Sequence, residues 1–402
     1  MKICFINAWG SGSTGRLVEQ LAKRCESEGD KYISFFGRGK SYLDDAICYN
    51  TKMSLYCDAL FSRMFDNQGL NSTRQTKKML KEMEAFKPDI IHIHNLHGYW
   101  INYRLLFDYI KKKKTKVVWT LHDSWPMTGH CACYSYLNCE HFNSGCGNCP
   151  GRKEYPSAWI DRSRKNVMLK SNVFSAVDYM TIVTPSEWMK KNVEGSILSK
   201  YPVKVIRNQI DKSVFYYRKD STLKERRGIP ENKKIVLYVA MSTSDPWKGF
   251  TIFKDVIGLL PDNYQVVIVG ECNLANSDKV TNLGRINNPS ELAKIYSISD
   301  VLANPSLDDN YPTVNLEALA CGVPVAAFET GGIPEQINNS CGKITKERTA
   351  KALLNSIIIL TNCNRDSMRI NCLQRYTEIS CSVNNVQEYY AIFCDMLMEE
   401  LK

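Results

Sequence analysis

The sequence predicts an α/β protein of two domains, each a doubly wound parallel sheet, facing a shared central cleft. Three observations predict it. The chain has 402 residues, too many for a single hydrophobic core to organise. Short apolar segments of strand length alternate with amphipathic helical ones, the pattern of a parallel sheet covered on both faces. That alternation restarts near residue 206, which separates residues 1–205 from residues 206–380. Residues 381–402 are left as a terminal helix expected to pack back toward the first domain.

The elements follow in order. KICFINAW carries no charge after its first residue and reads as a buried strand. GRLVEQLAKRCESEG places Leu17, Leu21 and Ala22 on one helical face. YISFFGR is a second strand. PDIIHIHN follows a helix ending at Phe86, KVVWTLHD follows the helix INYRLLFDYIKKKK, and YMTIVTP and YPVKVIRN continue the series. In the second half KKIVLYVAM, YQVVIVGE, VLANPS and VPVAAFE are strands, with helices GFTIFKDVIGLL, PSELAKIYSIS and VNLEALACG between them. VNNVQEYYAIFCDMLMEELK is a long amphipathic helix. Ligands of this architecture bind beyond the carboxyl ends of the strands, so the loops that follow strands are the places to search.

Composition narrows the class. Hydrophobic content of 44% and charge of 23% are globular values. No apolar run approaches the ~18 residues of a bilayer crossing, and the glycines that interrupt MKICFINAWGSGSTGR make it a first strand rather than a secretory leader. A cytoplasmic protein is expected, peripheral at most to the inner face of the membrane. The net charge of +10 is unevenly spread: residues 1–205 hold 30 Lys+Arg against 19 Asp+Glu, and residues 206–402 hold 22 against 23. Such a basic half suits an anionic membrane surface or a phosphorylated lipid acceptor. The run Lys111 to Lys114 alone reads as a solvated helix end. No nucleic-acid module accompanies the charge, so no nucleic-acid partner is expected.

The richest segment is NPSLDDNYPTVNLEALACGVPVAAFETGGIPE, residues 304–335. A strand ends, an acidic loop holds Asp309 and Asn310, and a helix opens near Thr313 and Val314 after Pro312 and closes at Gly322. The unpaired amides and dipole of that opening turn are suited to a diphosphate. Asp309 lies before the helix and Glu317 inside it, on nearly the same face, and carboxylates accept strongly from sugar and ribose hydroxyls. A capped helix with a solvated acidic loop is the plainer alternative. Lys248, in SDPWKGF after a strand, adds a cation. All six histidines fall between residues 92 and 141: His92 and His94 share one strand face, whereas His97, and His122 with Asp123, sit at strand ends that open on the cleft.

PSxxxxxPxxxxEALACGVPV followed by GGIPE resembles the C-terminal domain of glycosyltransferase family 4, whose GT-B fold pairs two Rossmann-like domains. The family carries two glutamates with seven residues between them, and the first is Asp309 here. The resemblance implies that Asp309 contacts donor-sugar hydroxyls, Glu317 the nucleotide ribose and Lys248 the donor diphosphate. Where the family often has an arginine before that lysine, this chain has MSTS. GSTGR resembles the family's glycine-rich loop, placing Gly12, Gly15 and Arg16 near the transferred phosphate and the acceptor. The DN.P variant, HNLHGYW and TLHDSWPMTGH are similar to a capsular and colanic-acid-type subgroup. There the histidine matching His122 lies near the donor sugar, and His97 and Asp123 fall on the acceptor side. A retaining hexosyltransferase is implied, with a UDP- or GDP-linked sugar donor and no divalent metal needed to bind it. The implied acceptor is a glycan or polyprenyl-diphosphate-linked precursor of bacterial surface polysaccharide.

Two further features carry alternatives. Gly10, Gly12 and Gly15 spell GxGxxG between strand and helix, as in an NAD(P)-dependent oxidoreductase, but Arg38 stands where that class needs an acid after its second strand. A nucleotide-sugar epimerase of the same architecture would convert donor with no acceptor, and a silent sugar-nucleotide binder would hold donor without turnover. Cys131, Cys139, Cys146 and Cys149 form C-x7-C-x6-C-x2-C, with Cys133, His130 and His141 nearby. A structural zinc clip suits that spacing, free thiols are the alternative, and an iron–sulfur cluster is third. The four cysteines also match the subgroup.

Overall fold

The computed structural model describes the chain apart from residues 140–143, 221, 381–383 and 399–402. Two compact units emerge, one of Met1–Ile206 with Asn384–Lys402 and one of Arg207–Val383.

The first unit holds β1 (Lys2–Trp9), β2 (Lys31–Arg38), β3 (Ile90–Ile93), β4 (Lys116–Thr120), β5 (Met180–Thr184) and β6 (Val203–Val205). They form a parallel sheet in the order β2-β1-β3-β4-β5-β6. Alternation along β1 divides the core: Cys4 and Ile6 point to one face with Ile91, Val117 and Trp119, and Ile3 and Phe5 to the other with Ile90 and Val118.

Asn385–Met398 covers that second face. Its Phe393 is fully buried, and each such side chain contributes about 1.5–3 kcal/mol. Polar contacts pin the helix: the Thr120 hydroxyl donates to the Tyr389 hydroxyl at 3.1 Å, Lys116 Nζ to the Met396 carbonyl at 2.6 Å, and Tyr390 to Asp30 Oδ2 at 2.6 Å.

The second unit repeats the plan with β7 (Lys234–Ser242), β8 (Tyr264–Glu271), β9 (Val280–Asn282), β10 (Val301–Asn304), β11 (Val325–Phe328) and β12 (Gly342–Thr345). They pair in parallel as β12-β11-β10-β7-β8-β9. Leu237, Leu302 and Val325 face one core layer and Val236, Val301 and Ala326 the other. β9 and β12 are absent from the sequence reading, because VTN and GKIT are too short and polar to stand out. Lys111–Lys114 is a solvated helix end, with Lys113 paired to Glu84 at 2.5 Å. Among the described residues no helix is long and apolar enough to cross a membrane.

Candidate active site

In each sheet the strand order reverses direction at one point, beside β1 and β3 in the first and between β7 and β10 in the second. Such switch points open a crevice at the carboxyl ends of the strands. The loops that carry Lys248 and Asp309 in the second unit, and Gly12 and His97 in the first, leave the strands at these two points.

In the second unit Lys248 ends a 3-10 turn, Pro246–Lys248, after β7. Asp309 lies in the loop after β10. Lys248 Nζ reaches Asp309 Oδ2 at 2.6 Å, and Ser306 Oγ lies 3.5 Å from the same oxygen. The loops are interlocked through backbone: Leu307 N donates to Trp247 O at 2.7 Å and Gly332 N to Asp309 O at 3.3 Å. Two glycines make this approach feasible. A Cβ on Gly331 (φ +54) would sit 1.7 Å from the Asp309 carbonyl oxygen, and one on Gly249 (φ +67) 1.9 Å from that of Pro305.

The helix Thr313–Ala320 starts here. Pro312 is its N-cap, no side chain caps it, and its first turn has no acid. The opening amides therefore keep their anion-binding character. Thr313 and Val314 are half-buried, and Asn310 is buried. A buried amide chain sets the helix start: Asn304 Nδ2 donates to Asn315 Oδ1 at 2.9 Å, Asn315 Nδ2 to Gln336 Oε1 at 2.9 Å, and Gln336 Nε2 to the Pro312 carbonyl at 3.0 Å. Gly322 follows the helix with φ +74, as its C-terminal role requires. Glu317 does not join Asp309; its Oε2 accepts from the Tyr296 hydroxyl at 2.9 Å. Burial, and then Glu317 itself, push the Tyr296 phenol far upward, so it stays a donor.

In the first unit the glycine-rich turn follows β1. Asn7 Nδ2 donates to the Trp9 carbonyl at 2.8 Å and to Thr14 Oγ1 at 3.0 Å. Gly12 opens the helix Gly12–Ser27, Gly15 is buried, and the Arg16 guanidinium lies 5.7 Å from the Tyr42 ring centre. His94 and His97 follow β3, and His122 and Asp123 follow β4. His94 Nδ1 and His122 Nε2 are 2.9 Å apart; His97 Nε2 lies 2.7 Å from Asp123 Oδ2 and its Nδ1 2.9 Å from the Tyr155 hydroxyl. His92 is structural: it bonds Thr120 Oγ1 at 2.9 Å and packs on Tyr389 and Phe393.

Burial sets the charges. It lowers His92 to about 3 and His122 to about 4, the latter against an opposing pull from Asp123, and it holds His94 well below the usual histidine range. All three are neutral near pH 7. Burial works against charge on Asp123 too, but His97 and the Trp125 amide outweigh it and the carboxyl titrates low.

Sequence reasoning passed over Tyr155, Tyr296 and Asn315, which lie far along the chain from the groups they hold. It used Arg38 only as the residue standing in place of an acid. In the fold Arg38 Nε and Nη2 are buried with no hydrogen-bond partner, and the guanidinium lies 5.2 Å from the Trp9 ring and 5.9 Å from the Tyr99 ring. A lone cation after a strand was the available signal.

The cysteines converge in part. Cys131, Cys139, Cys146 and Cys149 line one small cavity with His130. The neighbouring Cys131 thiol draws Cys149 below the usual thiol range; Gly129 N donates to Cys146 Sγ at 3.3 Å. As the side chains stand, no group of three or more His, Cys, Asp or Glu among the described residues is disposed to hold a metal ion. His130 bonds Asp66 Oδ1 at 2.6 Å, and His141 lies outside the described residues.

Two doubly wound units with such sites at their switch points define a GT-B glycosyltransferase. Residues 14–214 match the family described as glycosyltransferase family 4, and residues 219–374 match glycosyl transferases group 1. The chain belongs to glycosyltransferase family 4. WcaC of Escherichia coli (strain K12), named for a glycosyl transferase role in colanic acid biosynthesis, is 28% identical over 77% of this chain and 76% of its own length. Among solved structures, sucrose-phosphate synthase from Thermosynechococcus elongatus superposes with a TM-score of 0.72 at 16% identity, covering 99% of this chain and 100% of that one. Anabaena HepE in complex with UDP gives 0.67 at 16% identity, covering 98% and 100%. Family membership favours sugar transfer over oxidoreductase or epimerase chemistry.

Proposed function

We propose that this chain transfers a hexose from a UDP- or GDP-linked sugar, with retention of configuration, to a glycan carried on polyprenyl diphosphate. The setting is bacterial surface polysaccharide synthesis at the cytoplasmic face of the membrane. The observation that carries the reading is the Lys248–Asp309 pair beside the uncapped first turn of Thr313–Ala320. A nucleotide-sugar donor is supported by HepE, solved with UDP and with UDP-glucose, and the polysaccharide role by the name of WcaC.

In this mechanism the donor diphosphate takes its positive partners from Lys248 and the helix amides, and donor binding needs no divalent ion. Charge that builds on the leaving phosphate is stabilised where these groups already point. Glu317, steadied by Tyr296, accepts from the ribose, and Asp309 from the sugar. His122, a neutral imidazole, orients the sugar by hydrogen bonding. The leaving diphosphate assists removal of the acceptor proton on the same face of the sugar, so no side-chain nucleophile is required. Gly12, Gly15 and Arg16 border the phosphate, and His97 and Asp123 the acceptor.

The same reading gives Cys131, Cys139, Cys146 and Cys149 a structural zinc: they share one cavity, and binding would require their side chains to turn onto a common point, which they do not reach as they stand. Thermal shift against UDP- and GDP-sugars tests the donor assignment: one nucleotide class raises Tm in wild type and not in Lys248→Ala. An equal shift in both proteins ends the role given to Lys248.

A further inference from the structure

The helix Lys52–Phe65 is built inside out. Its Thr51 side chain caps it in a capping box with Ser54, so its register is well defined. A surface helix ordinarily turns its apolar stripe to the core. Here the buried residues are Asp58 and Ser62, 3% and 2% exposed, with Leu55 partly buried against the core beside them. Asp58 accepts from Ser62 at 3.0 Å, from Asn71 Nδ2 at 3.2 Å, and from Ser72. This polar network ties the helix to the Asn67–Ser72 loop without using its apolar side.

The outward side carries Met53, Tyr56, Leu60, Phe61 and Phe65, with Met53 71% and Tyr56 73% exposed. Steps of three, four and one from Met53 through Tyr56 and Leu60 to Phe61 put these four on one broad helical face, with Phe65 at its edge where the helix ends. Segment 157–162 extends the patch: Trp159 N donates to the Arg63 carbonyl at 2.7 Å, and Trp159 is 61% exposed beside exposed Ile160. Isolated surface apolar residues need no explanation, but a contiguous aromatic and aliphatic face marks an interaction surface.

Charge selects the occupant. The helix bears Lys52 and Arg63 outward and buries its one acid. Segment 152–165 adds Arg152, Lys153, Arg162, Arg164 and Lys165 against Glu154 and Asp161. The half-chain to which both belong carries the whole positive excess of the molecule. Apolar anchors rimmed by cations, with a tryptophan at the border, suit the interface of an anionic bilayer.

We propose that the outward face of Lys52–Phe65, with Trp159 and Ile160, is the surface by which this protein inserts into anionic membranes. The assignment rests on the lipid-linked acceptor proposed above and gives it a physical point of entry.

Co-sedimentation of the full chain with vesicles tests it. Vesicles of phosphatidylcholine and phosphatidylglycerol in equal amounts should retain the protein, and phosphatidylcholine alone should not. Leu60→Gln with Phe61→Gln should weaken retention by about tenfold or more, and Lys52→Glu with Arg63→Glu should do so most at low salt. Because these side chains are exposed, Tm and the nucleotide-induced thermal shift should hold in every variant. Equal retention of wild type and variants would overturn the proposal. So would a concentration-dependent dimer that Leu60→Gln with Phe61→Gln dissolves, since a second copy then covers the face. Retention without any nucleotide shift would sink the donor reading and leave the membrane surface standing.

Discussion

Lys248 and Asp309, sixty-one residues apart in sequence, form an ion pair of 2.6 Å between the loops that leave β7 and β10. The pair ties the lysine to the loop that leads into Thr313–Ala320, and on the proposed reading it makes Asp309 a competitor for the diphosphate that Lys248 binds.

That competition separates binding from turnover. Asp309→Asn should tighten UDP or GDP alone by about fivefold, the size of a partly buried ion pair released, while lowering kcat. Lys248→Ala should lose about a hundredfold or more in kcat/KM. Isothermal titration and steady-state kinetics on both variants check this. Weaker nucleotide binding in Asp309→Asn contradicts the competition.

Tyr296→Phe should act through Glu317. Loss of its 2.9 Å hydrogen bond should raise donor KM by about fivefold with kcat changed less. Glu317→Ala, which would remove the proposed ribose contact itself, should be the more severe. Unequal kcat effects with unchanged KM would argue against a positioning role.

Gly331→Ala meets the Asp309 carbonyl at 1.7 Å and demands a left-handed conformation. It should cost about 1–3 kcal/mol and displace Asp309, so Tm and donor-induced stabilisation should fall together. Gly29→Ala, which meets no atom within 4 Å, should pay only for its positive φ and leave the donor shift intact.

Acid should loosen the first unit. An unfolded histidine titrates near 6.5, but burial lowers His92 to about 3 and His122 to about 4, with His94 also depressed. Between those limits the unfolded chain binds more protons. The stabilisation is complete above about pH 6.5 and fades as pH falls toward 4. Melting curves from pH 7.5 to 5 should show Tm falling, and kcat/KM should show no limb from His122 between about pH 6 and 8.

Metal analysis settles the cysteine cluster. Purified protein should carry zinc in proportion to chain, released as Cys149→Ser is introduced. A metal-free protein whose four thiols all react freely excludes the clip.

Both alternating halves, the helix opening at Thr313, the terminal Gly322 and the placement of Lys248 and Asp309 in loops that leave strands were legible in the sequence. Local pattern and turn chemistry declare such features. The three- and four-residue strands β9 and β12 were not, since they form only because a neighbour offers hydrogen bonds. Residues 304–335 read correctly because one strand, loop and helix carry them together. Asn315 did not, because its partners Asn304 and Gln336 come from two other elements.

The amino-acid order by itself determined two sheets, their helices and which residues stand in the loops that leave the strands, because hydrophobic period and glycine placement act over neighbouring residues. Only the tertiary structure decided that Asp309 meets Lys248 while Glu317 meets Tyr296, that His122 is neutral, and that Lys52–Phe65 turns its apolar side outward. Those outcomes depend on burial and on contacts between distant segments, which periodicity along one segment does not contain.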